Sequence, residues 1–284
     1  MPSLHRLVIG QRTFDLAQRS LLMGIVNVTP DSFSDGGLFF SRAAAIDQAM
    51  QLAADGADII DIGGESTRPF ADPVSPAAEL DRVIPLIQAI RKRSDIPISI
   101  DTYRSNVAQA GLEAGADMIN DISALRFDPD MVHLAAQSGV PVVLMHMQGR
   151  PRDMQVAPQY DNLVAEVKTF LAQRRNFALS HGIAASNIIL DVGIGFGKTL
   201  SHNLELIHRL NEFHDLDCPL LLGVSRKAFI GKILDVPVTE RDIGSLGAIA
   251  VGLTRGANII RTHNVMLSRQ VTTIVEAVLH SHSN

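Results

Sequence analysis

Apolar residues along this chain gather into eight short runs, at 21–28, 58–62, 97–100, 118–122, 141–145, 188–192, 219–224 and 258–261. Each run is continuous in Ile, Val, Leu and Met instead of alternating apolar with polar, the pattern of parallel strands covered on both faces. The stretches between the runs carry helical spacing. Ile46, Ala49, Met50 and Ala53 fall at i, i+3, i+4 and i+7, with Ser41 placed to cap that helix and Gly56 to stop it, and Asp128-Pro129 is suited to open another. Three helix-to-strand joints share wording, Gly56-Ala57-Asp58, Gly115-Ala116-Asp117 and Gly256-Ala257-Asn258, as though one glycine-capped joint were reused. Eight such units predict an α/β fold, a closed (β/α)8 TIM barrel. An open doubly wound sheet fits less well, because no G-x-G-x-x-G follows the first run. Residues 5–16 read as a hairpin turning at Gly10-Gln11, so 1–18 is expected to close the lower mouth of the barrel. Residues 1–284 read as a single domain with no linker or low-complexity stretch.

Composition narrows the function classes. A chain of 284 residues that is 46% hydrophobic buries an ample core without disulfides or structural metal. Its formal charge of -5 leaves no basic surplus to neutralise phosphate backbones, which argues against a nucleic-acid partner. No run approaches the ~18 uncharged apolar residues of a membrane span, so no membrane partner is expected. A single cysteine, Cys218, and the lack of an apolar secretory stretch after Met1 lead to the expectation of a cytoplasmic protein.

In such a barrel, active groups stand at the C-terminal ends of the strands. The runs end on Asn27, on Asp61 with Glu65 beyond it, and on Asp101, Asn120-Asp121, His146, Asp191, Ser225-Arg226-Lys227 and Arg261-Thr262-His263. An Asp or Asn just past a strand often only caps a helix or starts a turn. Capping does not account for Lys227, Arg261 and His263. Asp101, Asn120 and Asp191 offer acceptors, with amide donors from the Asn, and suit a flat heterocycle bearing several N–H groups and a carbonyl. Arg261 and His263, two apart on one strand, point the same way and form an anion pocket with Asn27; Lys227 could serve either half. His146, between Met145 and Met147, reads as a satisfied rim histidine, and no His/Cys spacing suggests zinc. Gly193-Ile194-Gly195-Phe196-Gly197-Lys198-Thr199 ends like a phosphate loop but lacks its spacing, and Ser225 lacks the elbow of a serine hydrolase. Two glycine-rich loops, 29–37 and 63–73, exceed the usual length of a strand–helix connection and read as lids.

The particular wording goes further. Met23-Gly24-Ile25-Val26-Asn27-Val28-Thr29-Pro30-Asp31-Ser32-Phe33-Ser34-Asp35-Gly36-Gly37, Gly64-Glu65-Ser66-Thr67-Arg68-Pro69, Ile100-Asp101-Thr102, Asn120-Asp121-Ile122, Leu190-Asp191-Val192-Gly193-Ile194-Gly195-Phe196-Gly197-Lys198, Gly223-Val224-Ser225-Arg226-Lys227 and Arg261-Thr262-His263 closely resemble, in this order, the dihydropteroate synthase family. The resemblance implies a TIM-barrel transferase that condenses 6-hydroxymethyl-7,8-dihydropterin pyrophosphate with 4-aminobenzoate, releasing pyrophosphate and 7,8-dihydropteroate. It implies that Asp101, Asn120, Asp191, Lys227 and Phe196 hold the pterin, and that Asn27, Arg261, His263 and Thr67 hold the pyrophosphate. It assigns Mg2+ as cofactor, coordinated partly through Asn27 and Asp31 or Asp35 near the first loop. Phe33, Thr67, Arg68, Pro69 and Ser225, again with Phe196, would frame the aminobenzoate, and this would be the sulfonamide-sensitive site. Asp101, Lys227, Arg261 and His263 are the expected catalytic groups. A homodimer is the family expectation, with 243–254 and 265–279 as candidate contact stretches. One departure stands out: the family usually follows Arg-x-His with Asp, where this chain has Asn264. Asn and Asp are comparable N-caps, so a role in opening the last helix would survive.

Two other readings share some of these residues. A pterin-dependent methyltransferase would keep the pterin-holding Asp and Asn but has no use for Arg261-x-His263 or Ser225-Arg226-Lys227. A non-catalytic pterin-binding paralogue is the other.

Overall fold

The computed structural model describes residues 6–28, 37–66 and 73–281, with 37–41 as backbone only. The eight runs are strands. β3 (Leu21–Asn27), β4 (Ile59–Gly63), β5 (Ile98–Asp101), β6 (Met118–Asp121), β7 (Val142–Met145), β8 (Ile188–Asp191), β9 (Leu220–Leu222) and β10 (Ile259–Thr262) pair in chain order, and β10 closes back onto β3. All eight neighbouring pairs in the ring are parallel. Helices α1 (Gly37–Ala54), α2 (Pro76–Arg91), α3 (Ser105–Glu113), α4 (Met131–Ser138), α5 (Leu163–Ser180), α6 (Leu200–His208), α7 (Ala228–Leu234), α8 (Asp242–Thr254) and α9 (Val265–His280) lie in the connections.

Two helix starts differ from expectation. α1 begins at Gly37, one turn before Ser41, so Ser41 lies inside the helix and does not cap it. Leu38-Phe39-Phe40 holds no breaker, and extending a formed helix by a residue is cheap compared with nucleating one. α4 starts at Met131, two residues after Asp128-Pro129. The Asp128 carboxylate is engaged elsewhere, accepting the Ser105 N–H at the start of α3 (2.7 Å) and the Asp130 N–H (3.0 Å).

The repeated joints are one device built three times. Gly56, Gly115 and Gly256 take φ of 98°, 111° and 88°, the left-handed turn that glycine enters without a Cβ penalty. The third residue of each joint then grips the start of the preceding strand. The Asp58 N–H donates to the Leu22 carbonyl and its carboxylate accepts the Leu22 N–H; Asp117 does the same with Ile98, and Asn258 with Leu220. Arg19 and Arg269 neutralise buried Asp58, and Arg91 neutralises Asp117, at the lower end of the barrel.

β1 (Arg6–Ile9) and β2 (Arg12–Asp15) form the expected hairpin. Leu7, Ile9, Phe14 and Leu16 are buried against Leu21, Met23, Ile59, Met118, Val143, Ile189, Leu221 and Ile259. Those eight are inward-facing positions near the strand starts, so the hairpin plugs the lower mouth and excludes water from that layer.

Strand periodicity then decides what faces the upper mouth. Two residues further along each strand the same inward face resumes. Above Ile59 stands Asp61, above Ser99 Asp101, above Met118 Asn120, above Ile189 Asp191, and above Ile259 Arg261. The register pairs Ile25 with Asp61, Asp61 with Ser99, Asp101 with Asn120, Met145 with Asp191 and Arg261 with Met23, so all of these share the interior face.

Candidate active site

The polar layer opens into a cavity of about 910 Å3 at the upper mouth, lined among others by Asn27, Asp101, Asn120, Asp191, Lys227 and His263. Arg261 is its centre. The guanidinium donates from Nε to Asp61 (2.7 Å) and from Nη2 to Asp101 (2.7 Å). Asp61 is fully buried, and Asn120 Nδ2 reaches its two oxygens at 3.3 and 3.4 Å. A buried carboxylate needs such partners, and a partly buried guanidinium gains from them too.

The charges hold one another in unusual states. Burial, opposed by Arg261 and reinforced by Asp61, pushes Asp101 up to about 7. Burial works against the charge of Arg261, but Asp61 and Asp101 outweigh it and keep the guanidinium protonated. Burial also raises Asp191, whose Oδ1 accepts the Gly193 N–H at 2.7 Å. Lys227 is lowered to about 8 by burial and then by Arg261, and its Nζ stands 4.2 Å above the Phe196 ring. Ile122, Met145, Met154 and Phe196 form an apolar wall of the same cavity. A flat ring laid on that wall meets carboxylates and an amide at its edge, an arrangement that reads donor N–H groups.

At the other side, His263 is lowered to about 3 by burial and by the cations Arg261, Arg226 and Lys227. Its ring is therefore neutral. Ser225 Oγ accepts the His263 backbone N–H (3.1 Å) and lies 2.9 Å from Nδ1. When Ser225 donates its O–H to Nδ1, the ring proton sits on Nε2 and is available to an anion. Asn27 is half-buried at the end of β3, and its Oδ1 faces Asp101 across Gly63, where a Cβ would lie 3.6 Å from Asn27 Oδ1 and 3.5 Å from Asp101 Cβ.

Asn27, Asp101, Asn120, Asp191, Phe196, Ser225, Lys227, Arg261 and His263 are thus brought to one rim. Phe33, Thr67, Arg68 and Pro69, together with Asp31 and Asp35, lie outside the described residues, as do most of the two expected lid loops. Asp121 follows the capping reading: it is fully buried beside the rim, and its oxygens accept the Ser123 and Leu125 N–H groups, both at 2.7 Å. Asp61 belongs to the site although its sequence context assigns it to neither half. The signal was present in Ile59-Ile60-Asp61-Ile62, since a lone acid inside a buried strand demands a cationic partner. Asn264 caps α9 by accepting the Leu267 N–H at 3.2 Å, as expected, and its amide also donates to Asp242 at 3.1 Å.

Residues 23–263 match the family of pterin binding enzymes. The chain is 47% identical over 273 residues to the dihydropteroate synthase of Synechocystis, covering 96% of this chain and 94% of that protein. A dihydropteroate synthase of Yersinia pestis, solved with a sulfonamide drug, superimposes with a TM-score of 0.91 at 44% identity, over 96% of this chain and 99% of that one. The Xanthomonas albilineans dihydropteroate synthase, solved in complex with 7,8-dihydropteroate, gives a TM-score of 0.88 at 40% identity, over 96% and 98%.

Proposed function

The chain belongs to the pterin binding enzyme family, and on that premise we infer that it catalyses the dihydropteroate synthase reaction, joining 6-hydroxymethyl-7,8-dihydropterin pyrophosphate to 4-aminobenzoate. The observation that carries the reading is Arg261, bonded to Asp61 and Asp101, between an acceptor-rich apolar-walled half and a cationic half of one cavity.

In the reaction the bond between the pterin methylene carbon and the pyrophosphate oxygen breaks, and its electron pair leaves with the pyrophosphate. The methylene carbon becomes positive, with the charge spread into the ring. The aryl amine nitrogen then forms the new bond to that carbon and gives up a proton to water. Asp101, Asn120 and Asp191 accept the pterin N–H groups, and Lys227 donates to the ring's acceptor edge. The Asp101 carboxylate opposes the positive charge as it develops, an electrostatic contribution that is largest in a dry site. Nη1 of Arg261, which has no partner among the described residues, and Nε2 of His263 donate to the departing anion. We assign Phe33, Thr67, Arg68, Pro69, Ser225 and Phe196 to the aminobenzoate, and Thr67 to the pyrophosphate as well. Positioning both reactants removes much of the entropic barrier, and no covalent enzyme intermediate is needed.

Asn27 fits a role toward Mg2+. Its side chain makes no hydrogen bond among the described residues, and a neutral amide oxygen beside a diphosphate suits an ion that keeps waters and substrate phosphates as most of its ligands. Bound there, Mg2+ supplies charge neutralisation to the leaving pyrophosphate.

The reading extends to a homodimer. Ile243 and Val251 on α8, and Met266, Ile274 and Val278 on α9, are exposed apolar side chains on two helices that pack against each other. The lone buried thiol of Cys218 suits a reducing, cytoplasmic setting. Among the described residues no helix is long and apolar enough to cross a membrane.

The test is pyrophosphate release on mixing purified protein with both substrates and Mg2+. Release that requires the aminobenzoate and yields dihydropteroate supports the reading, and no release refutes it. A methyltransferase or a non-catalytic paralogue releases none. Chelation should abolish turnover reversibly if Mg2+ serves the leaving group, and light scattering at twice the monomer mass should report the dimer.

A further inference from the structure

The glycine-rich run at 193–199 has no phosphate-loop spacing, yet it is built with great economy of space. A Cβ on Gly193 would fall 1.9 Å from the His146 carbonyl oxygen, and one on Gly197 would fall 2.8 Å from the Gln148 carbonyl oxygen. The loop is therefore seated directly on the backbone leaving β7. Its other side meets the pterin half, where a Cβ on Gly195 would lie 3.1 Å from Lys227 Cδ. Gly193, Gly195 and Gly197 have φ of 69°, 83° and 63°, so both the space and the backbone conformation require glycine.

Lys198 pins this seat. It is buried, 3% exposed, and has no carboxylate within hydrogen-bond reach. Its Nζ lies 2.9 Å from His146 Nδ1, 3.0 Å from the Phe196 carbonyl and 3.4 Å from the His146 carbonyl. Burial lowers Lys198 to about 7 and drives His146 far below neutrality, so the ring is a standing acceptor for the lysine. His146 is in turn fixed edge-on against Phe170, with centroids 4.8 Å apart. A buried amine with every donor spent on one loop and its seat is a clamp on that loop.

We propose that Lys198 and His146 are positioning residues for the dihydropterin: they lock the 193–197 loop onto the end of β7, and this loop is the platform that sets Lys227 and the Phe196 ring against the substrate. The proposal rests on the synthase reading and deepens it. Nothing in it requires Lys198 to touch the substrate.

Steady-state kinetics of the full chain, with each substrate varied in turn, tests it. Lys198→Met should raise the KM for dihydropterin pyrophosphate about 10- to 100-fold while the KM for 4-aminobenzoate stays within about twofold. His146→Leu, which removes the ring acceptor of Lys198, should act in the same direction, and it carries the test alone if Lys198→Met does not fold. The double variant Lys198→Met/His146→Leu should lose less than the product of its two single losses, because removing both partners leaves no orphaned donor or acceptor. Losses shared equally by the two substrates, a normal dihydropterin KM in the folded variants, or strictly multiplicative effects in the double variant overturn the proposal. Turnover by the unaltered enzyme is measured in the same series: its absence defeats the synthase reading, and its presence with indifferent variants defeats the clamp alone.

Discussion

Asp61 is the residue whose replacement most sharply tests the electrostatics of the site. Asp61→Asn preserves side-chain size and one acceptor for Arg261 and Asn120 but removes a negative charge beside Asp101. In the free enzyme Asp101 is pushed up to about 7, so kcat/KM for the dihydropterin should fall as pH drops through that value and the carboxylate takes a proton. Asp61 and Asp101 accept from the same guanidinium, which puts the two charges ~5 Å apart and their repulsion at ~3 kcal/mol for an effective dielectric of about 20. That is about two pH units, reduced by whatever screening the solvent in the open cavity supplies. The acid limb of kcat/KM should therefore move down by one to two units, roughly. The assay is pyrophosphate release at low substrate across pH 4.5 to 8.5, roughly the span in which the limb can be followed, with Asp58→Asn as control. Asp58 is a carboxylate paired to Arg19 and Arg269 at the opposite end of the barrel, so its loss should lower the melting temperature and leave the limb in place. An Asp61→Asn limb that stays put or moves upward in folded protein would refute the coupling.

Other expectations follow from the same geometry. Asp101→Asn should reduce turnover far more than the apparent affinity for 4-aminobenzoate, because the carboxylate acts on charge that exists only in the transition state; equal losses in the constants of both substrates would count against it. Asn264→Ala removes the α9 cap and should cost about 1 kcal/mol, or ~2–4 °C of melting temperature by calorimetry. Asn264→Asp keeps the cap but brings a carboxylate to Asp242, so its deficit should shrink on acidification. Phe14→Ala opens the plugged end and should cost ~3–5 kcal/mol of stability, with kcat unchanged well below the melting point, since the cavity lies at the other mouth.

The barrel was legible because a buried parallel strand must be apolar on both faces, and the eight runs announced themselves without any knowledge of one another. The rim residues were legible for a related reason: a polar group at the end of such a run interrupts it visibly. Helix starts were less so. Ser41 reads as a cap in isolation, and the backbone passed it because nothing upstream stopped the helix. Asp128 reads as opening its own helix, yet its carboxylate was claimed by the start of α3, a competition between neighbours that no single segment encodes.

What the amino-acid sequence determined by itself is local: the strand period, the glycine turns of the three repeated joints, and the family wording that names the chemistry. What only the tertiary structure decided is pairing. That Arg261 spends two donors on Asp61 and Asp101, that Lys198 meets His146, and that Asn264 serves Asp242 as well as its helix all join positions up to 200 residues apart. Hydrophobic periodicity is written along the chain, whereas the state of a charge depends on which other charges barrel closure brings within a few ångströms, and that distance exists only once the sheet has closed on itself.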